Sequence, residues 1–528
     1  MNYDVIIIGG GHNGLVASAK LGKAGKRVLV LERRPIVGGA CVTEEIHSGF
    51  KYSTCAYTPG VFQQSVVDEL NLKQHGYELI EYDPGLFAPV ADGTSLTFWK
   101  DSKKTIEEIS RYSEKDARRY PVFEKEIGRL TSILHTLWTT SLPDPATVGV
   151  GDWRELLSLG WKMRGVKEKD ILELLRILPM SIADLLNENF ENEHLKGILA
   201  SEGVLGSFYG PRSAGSVYIM MYLRMGRGDG GSQQWPLVRG GMGALTQAIA
   251  SAATRHGVEI RASADVSRIL VKDGVANGVV LSNGDEIKAR VVVSNADTKC
   301  TFLKLVDPSH LDPDFIMSVK NIRARGVSAK VNLALDSYPK WKALKGDFTP
   351  VVVDIAPNMN YLERAFDDAK YGEYSRAPFL DIAIPSVVDP SLAPSGKHVM
   401  SVYVLFAPYH LKNGDWNAMK ELFGDMVVQT IEHYAPGFSD SILHRQVITP
   451  LDLERTYGLT EGHIHHGELA LDQIFFMRPV PGYSHYGAPI RNLYMCSAAT
   501  HPGGGVTGIP GSLSAQQILS DFRSGSIV

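Results

Sequence analysis

The sequence predicts an α/β fold whose central parallel sheet opens on a βαβ unit, and three observations carry this. Residues 5–8, Val-Ile-Ile-Ile, form an unbroken apolar run, which is the mark of a strand buried on both faces. Gly9, Gly11 and Gly14 follow in a G-x-G-x-x-G frame, and helix formers run from Leu15 to Leu21. A second apolar run, residues 28–31, ends in Glu32, eighteen residues after Gly14. In such a unit one glycine makes the tight turn, one lets the backbone approach a pyrophosphate, and one lets the helix pack on the sheet. The phosphates of a dinucleotide then sit on the positive end of the helix. An acid at this distance accepts the hydroxyls of the adenosine ribose.

Glu32 is followed by Arg33-Arg34-Pro35-Ile36-Val37-Gly38-Gly39-Ala40. This E-x-R-x-x-x-G-G pattern resembles the extension found in glutathione-reductase-like flavoproteins of the amine-oxidase and phytoene-desaturase branch. The resemblance implies FAD as the cofactor. It also implies that Gly9, Gly11, His12, Asn13, Gly14, Glu32, Arg33, Arg34, Gly38, Gly39 and Ala40 form its cradle, with an arginine near the phosphates or ribose and the paired glycines toward the flavin.

Size and composition narrow the function. The 528 residues carry a net charge of −4, and no lysine- or arginine-rich block suggests nucleic acid. Cys41, Cys55, Cys300 and Cys496 are far apart, so no disulfide framework, zinc site or redox dithiol is expected, and no metal at all. No apolar stretch approaches the eighteen residues of a membrane span. The N-terminal residues lack the basic and apolar segments of a signal peptide, so a cytoplasmic chain is expected, with peripheral membrane attachment left open.

Later elements follow in order. Residues 79–83 and 95–99 read as short strands within a mainly helical stretch that runs to about residue 200, broken near Pro179. Helix-period spacing of Ile127, Leu130, Ile133 and Leu134 supports that reading. Arg239-Gly-Gly-Met-Gly243 precedes a helix at 245–256. Strands follow at 258–261 and 264–271, then a hairpin turning at Asn283-Gly284. A second unit has strands near 328–335, 349–355, 378–384 and 398–406. The chain returns to the first sheet at 492–497. The expected organisation is a discontinuous FAD-binding unit (1–75, 230–325 and 470–528), a mostly helical substrate- or membrane-facing region (76–229), and an inserted α+β substrate domain (326–469).

After the last strand, Ala498-Ala-Thr-His-Pro-Gly-Gly-Gly-Val-Thr-Gly-Ile-Pro-Gly511 leads into a helix, a glycine-rich anion site in its own right. It resembles the terminal flavin motif of phytoene desaturases. Together with Ser294-Asn-Ala-Asp297 and His466-Gly-Glu468, the chain resembles the phytoene-desaturase-related flavoproteins. The nearest likeness is to the subgroup of pyridine nucleotide-disulfide oxidoreductase domain-containing proteins and bacterial carotenoid ketolases. The resemblance adds Val266, Ala498, Thr500, Gly508 and Ile509 to the cofactor set. Three positions depart from the pattern: Ser53 and Ala40 replace residues often found there, and no acid lies in 496–500.

Two side chains are candidates for chemistry: His501, in the terminal loop, and Arg212, in Phe208-Tyr-Gly-Pro-Arg212, as a tunnel residue. The His463-Ile-His465-His466 cluster lacks companions at metal-ligand spacing and is read as structural or flavin-proximal. Residues 153–180 mix Trp153, Trp161 and leucines with Lys162, Arg164, Lys167 and Lys169, the texture of an interfacial helix. No second glycine-rich fingerprint marks a nicotinamide site, which leaves oxygen or a quinone as the electron acceptor. The expected activity is dehydrogenation of a long apolar, isoprenoid- or carotenoid-like substrate. Ketolation, isomerisation and a flavin-binding partner role stay open, as does the oligomeric state.

Overall fold

The computed structural model describes residues 3–142, 152–226 and 235–527. Its first sheet is built as the glycine frame predicts. Tyr3–Ile8 lies at the centre, parallel to Val28–Leu31 on one side and to Glu286–Ser294 on the other. Glu259–Arg261 extends the sheet beyond Val28–Leu31, and Leu493–Met495 pairs with the far end of Glu286–Ser294. Val266–Lys272 and Val275–Leu281 add an antiparallel ribbon.

Alternation explains the two apolar layers. Val5, Ile7, Val28 and Val30 face the helices His12–Lys23, Met242–Arg255 and Ile509–Ser524. Ile6, Ile8, Leu29 and Leu31 face the ribbon and the residues around Phe302 and Phe315. Both sides are therefore closed to water, which is why this strand reads as a continuous apolar run.

The second sheet runs Ile442–Ile448, Ser328–Leu335, His398–Leu405, Leu380–Ala383, Val352–Ile355, Leu86–Pro89, Ser95–Phe98. The last two strands differ from the sequence expectation, which assigns them to the helical region. They complete the second sheet through a parallel pairing of Val353 with Phe87. A partner so distant along the chain leaves no local signal. One face of this sheet (Val331, Leu333, Val353, Ile382, Val402) packs on the helix Trp416–Tyr434 through Phe423, Val427 and Ile431. Each of those buried side chains contributes roughly 1.5–3 kcal/mol. The other face looks toward the first sheet.

A third layer is helical. Glu114–Trp138, Ile182–Asn189, Glu193–Ser201 and Ser216–Leu223 share one apolar core with residues of the second sheet and of the terminal helix, Ile509 and Leu513. The Arg239-Gly-Gly-Met-Gly243 motif docks the helix Met242–Arg255 on the hairpin formed by Thr43–His47 and Phe50–Ser53. The Met242 and Gly243 N–H groups donate to Ser53 Oγ at 3.0 Å and Thr43 Oγ1 at 2.9 Å. A Cβ on Gly241, whose φ is +80°, would strike Thr43 Oγ1 at 2.4 Å. Ser53, one of the departures from the family pattern, therefore serves as a helix cap.

Candidate active site

A single cavity of about 330 Å³ opens where the first sheet, the second sheet and the helical layer meet. At one end the helix His12–Lys23 begins at Gly11 with no side-chain cap, so its first-turn N–H groups are left for a ligand. A Cβ placed on Gly11 would touch only Asn295 Nδ2 at 3.0 Å and Gly39 Cα at 3.9 Å. Beyond that one amide, the space above Gly11 is free of protein backbone within 3.9 Å. Gly14 is small for another reason: its Cβ would lie 2.4 Å from the Gly9 carbonyl oxygen, so it lets the helix pack on the turn. Gly38 has φ +128°, and a Cβ there would meet the Cys41 carbonyl at 2.6 Å.

Glu32 is buried, and its two oxygens accept from the backbone N–H of Gly10 at 2.8 Å and of Arg34 at 2.9 Å. Arg34 pairs with Glu44 at 2.8 Å and lies over the Tyr457 ring. Arg33 donates to the carbonyls of Arg455 and Thr456, tying the cradle to the far side of the cleft. Three buried polar atoms at this end, His12 Nε2, Asn13 Oδ1 and Arg34 Nη1, have no hydrogen-bond partner. Buried polar atoms are costly unless satisfied. With the uncapped helix they fit a bound dinucleotide, which would supply the missing partners.

Of the residues expected at the cofactor, Gly9, Gly11, His12, Asn13, Glu32, Arg33, Arg34, Gly39, Ala40, Val266 and Ala498 line this cavity. Gly14 and Gly38 shape it from behind. Thr500 is buried and donates to the Ser497 carbonyl at 2.9 Å. Gly508 precedes the terminal helix at φ +74° against the Phe62 ring, and Ile509 opens that helix. Neither lines the cavity.

The two expected catalytic side chains do not reach it. Arg212 is exposed; its guanidinium donates to Asn360 Oδ1 at 2.6 Å, and its backbone N–H donates to Glu363. His501 points into the helical layer, with Nε2 at 3.1 Å from the Leu137 carbonyl. Burial pushes its pKa down to about 4, so the ring is neutral at neutral pH. The physical reason is that this loop meets the cavity through Ala498, Gly505 and Val506, while its imidazole is held by the Leu137 carbonyl.

The histidine cluster fares differently. His465 and His466 line the cavity, and burial lowers the pKa of both. Their loop is held by Arg478, a fully buried guanidinium that sequence reading missed. Arg478 donates to the carbonyls of His465 (2.6 Å), Ala498 (2.8 Å), Glu468 (3.1 Å), Gln473 and Gly467. It thereby joins this loop to the terminal motif. Among the described residues, no group of three metal-ligating side chains converges.

The sheet wall of the cavity holds the groups that sequence reading missed entirely. Lys330, Tyr403, Asp381 and Asp354 are register partners across four neighbouring strands, so their side chains form one row on one face. Lys330 Nζ donates to the carbonyls of Ser53 (2.5 Å) and Cys55 (2.6 Å), and burial lowers its pKa to about 7. Tyr403 hydrogen-bonds Ser328. Tyr57, from the loop after the 43–53 hairpin, donates its phenol proton to Asp381 and stacks on Tyr403 at 6.3 Å. Burial raises Asp381 to a pKa of about 6, against the opposing pull of Tyr57 and Lys330. Its second oxygen, Oδ1, has no partner. Tyr57, Lys330, Tyr403 and Ser328 all line the cavity.

Apolar side chains line the same cavity, among them Val61, Leu205, Leu223, Trp235 and Ile464. A smaller cavity of about 60 Å³ shares Tyr57, Leu205, Leu223 and Trp235 with the first and continues to Phe379 and Asp381. The one signal for the polar row lay in alternation. Ser328-Ala-Lys-Val-Asn332 places polar residues at every second position of a strand. Nothing in it says that this polar face is buried beneath another unit.

Comparison with known proteins agrees with this architecture. The family pattern described as flavin containing amine oxidoreductase matches residues 107–515, and an NAD(P)-binding Rossmann-like pattern matches residues 7–69. The chain is 37% identical to pyridine nucleotide-disulfide oxidoreductase domain-containing protein 2 of Rattus norvegicus, over 99% of this chain and 94% of the relative. One of the subunits of limonene dehydrogenase from Castellaniella defragrans is 28% identical (98% of this chain, 95% of the relative). Phytoene desaturase of Fusarium fujikuroi is 27% identical (99% and 90%). Cyclohexylamine oxidase from Brevibacterium oxydans has the same fold, with a TM-score of 0.59 at 14% identity, over 99% of both chains. The chain belongs to the flavin containing amine oxidoreductase family and is an FAD-dependent oxidoreductase with a Rossmann-like unit joined to a second sheet.

Proposed function

We propose that this oxidoreductase dehydrogenates a long, predominantly apolar substrate of isoprenoid or carotenoid type, with oxygen or a quinone as the final acceptor. The observation that carries the reading is the make-up of the cavity: apolar side chains for a hydrocarbon together with one acid–phenol pair. The names of the limonene dehydrogenase and phytoene desaturase relatives support it, since both describe oxidations of terpenoid hydrocarbons.

Bound FAD supplies the hydride acceptor. The chain must provide orientation, exclusion of water and a place for the proton. Turning a C–C single bond into a double bond removes one hydride and one proton. Tyr57 lines the cavity, so its phenol oxygen takes the substrate proton while its own proton passes to the Asp381 carboxylate. Lys330 and Tyr403 hold that pair in place through stacking and charge. Leu205, Leu223 and Trp235 keep the reacting carbons dry.

Anaerobic mixing of the FAD-loaded protein with limonene or phytoene tests this. Loss of the oxidised-flavin absorbance, with a product two hydrogens lighter, is expected. If neither compound nor any other polyene bleaches the flavin, the reading fails. A product of unchanged mass would replace it with isomerisation, and a gain of oxygen with ketolation.

A further inference from the structure

Two short helices of the helical layer expose a surface that the cavity does not explain. Asp152–Met163 and Glu168–Ile177 are joined by a four-residue turn. The second is two-faced. Leu174 and Ile177 are buried, and Asp170 is buried in an ion pair with Arg129 of the helix Glu114–Trp138. Ile171, Leu172 and Leu175 project the other way and are 44, 59 and 65% exposed. On the first helix Leu157 (71%) and Trp161 (65%) are one turn apart on a single face. Five of the fourteen large apolar side chains found exposed among the described residues thus fall within nineteen positions. Scattered exposed leucines need no account, but a cluster of this kind marks an interaction site.

Charge identifies the partner. Lys162, Arg164, Lys167 and Lys169 are exposed beside the apolar residues, with Arg164 resting over the Trp161 ring at 4.2 Å. Lys162 reaches Thr140, and the nearby acids Asp170 and Glu173 are taken up by Arg129 and Arg176. Among the described residues of this patch, Glu168 is the one exposed acid facing four bases. An apolar face ringed by lysine and arginine, with tryptophan at the boundary, is the chemistry of a helix lying in an anionic lipid interface. A second copy is a poor occupant, because a two-fold contact would set this basic rim against itself. No described helix is long and apolar enough to cross a membrane, so the contact is with the surface.

We propose that the face formed by residues 157–175 docks the protein on the surface of an anionic bilayer. The proposal is independent of the substrate and needs only the FAD-loaded chain. Flotation with phosphatidylcholine vesicles, with and without phosphatidylglycerol, tests it. Wild type should float with the anionic vesicles, and added salt should release it. Leu172→Glu/Leu175→Glu should abolish flotation while retaining FAD. Because both side chains are already exposed, the fold should tolerate the change. Lys167→Ala/Lys169→Ala should weaken binding to anionic vesicles by about thirtyfold, at roughly tenfold or less per basic group, and leave neutral vesicles unaffected. Failure of wild type to float with anionic vesicles would overturn the proposal, as would undiminished flotation of the double glutamate variant. A concentration-dependent dimer in light scattering that dissolves in that variant, without vesicle binding, would assign the face to a second copy instead.

Discussion

The cofactor cradle and the polar row on the second sheet line one cavity, yet they are built by different means. The cradle is made of backbone. Gly9, Gly11, Gly14 and Gly38 give it shape, and Glu32 binds two amide N–H groups within its own loop system. Its residues span about thirty positions, so its pattern is local. The row is made of side chains drawn from positions 57, 330, 381 and 403, brought together by strand register and by a loop of the other unit. A site built of backbone needs small residues at set spacings. A site built of side chains needs only that distant strands pair correctly, and many sequences meet that need.

The sharpest way to break the comparison is at the glycines. Gly11→Ala adds a methyl that crowds one side-chain amide, Asn295 Nδ2 at 3.0 Å, rather than backbone, so the variant should fold with a smaller loss of stability than Gly14→Ala and purify without yellow colour. Gly14→Ala should be destabilised whether or not FAD is present, because its methyl meets the Gly9 carbonyl. Thermal melts beside absorbance spectra separate the two. A yellow, fully loaded Gly11→Ala protein would show that the cavity end above Gly11 is not the pyrophosphate site.

The row is tested next. Tyr57→Phe removes the proton carrier and should slow flavin reduction by about 10²–10⁴-fold, with FAD content unchanged. Stopped-flow absorbance with whichever substrate bleaches the wild type reads this directly. A smaller effect belongs to Glu32→Ala. Charge-assisted hydrogen bonds of roughly 1.5–3 kcal/mol are lost, so FAD affinity should fall about tenfold to a hundredfold. The rate of the loaded fraction should hold. Equilibrium dialysis against FAD measures the first, and single-turnover reduction the second. Smallest of all, Arg212→Ala should change stability by about 0.5 kcal/mol or less and leave FAD binding and flavin reduction alone, since its partners Asn360 and Glu363 lie on the surface. A large loss of activity there would return Arg212 to the site.

Legibility followed the same division. The first sheet, the Asn283-Gly284 hairpin and the strand Ser328–Leu335 were visible from apolar runs, turn residues and alternation, all of which act over a few positions. The pairing of Leu86–Pro89 with Val352–Ile355 was not, because it depends on a distant partner. In the site, the glycines and Glu32 could be found by spacing. His501 drew attention because its loop leads to the cofactor, yet the loop meets the cavity through Ala498, Gly505 and Val506 and the ring is held by the Leu137 carbonyl. Asp381 lies in an ordinary Leu-Asp-Ile-Ala strand and acquires meaning only when Tyr57 covers it. Arg478 is hidden for a similar reason: its partners are carbonyl groups, which any sequence supplies.

The most direct test of the division between cradle and row is Asp381→Asn, measured for FAD affinity and for the rate of flavin reduction across pH in one preparation. Asp381 accepts the Tyr57 proton only as a carboxylate. Burial raises its pKa to about 6, so wild-type reduction should speed up as pH rises through that value. Lys330, Tyr57, Tyr403 and Asp354 face the same group and shape that curve. The account predicts that the asparagine variant binds FAD as the wild type does, reduces it about a hundredfold or more slowly, and loses the limb near pH 6. Wild-type rates with an unchanged pH profile, or loss of FAD from this variant, would contradict it.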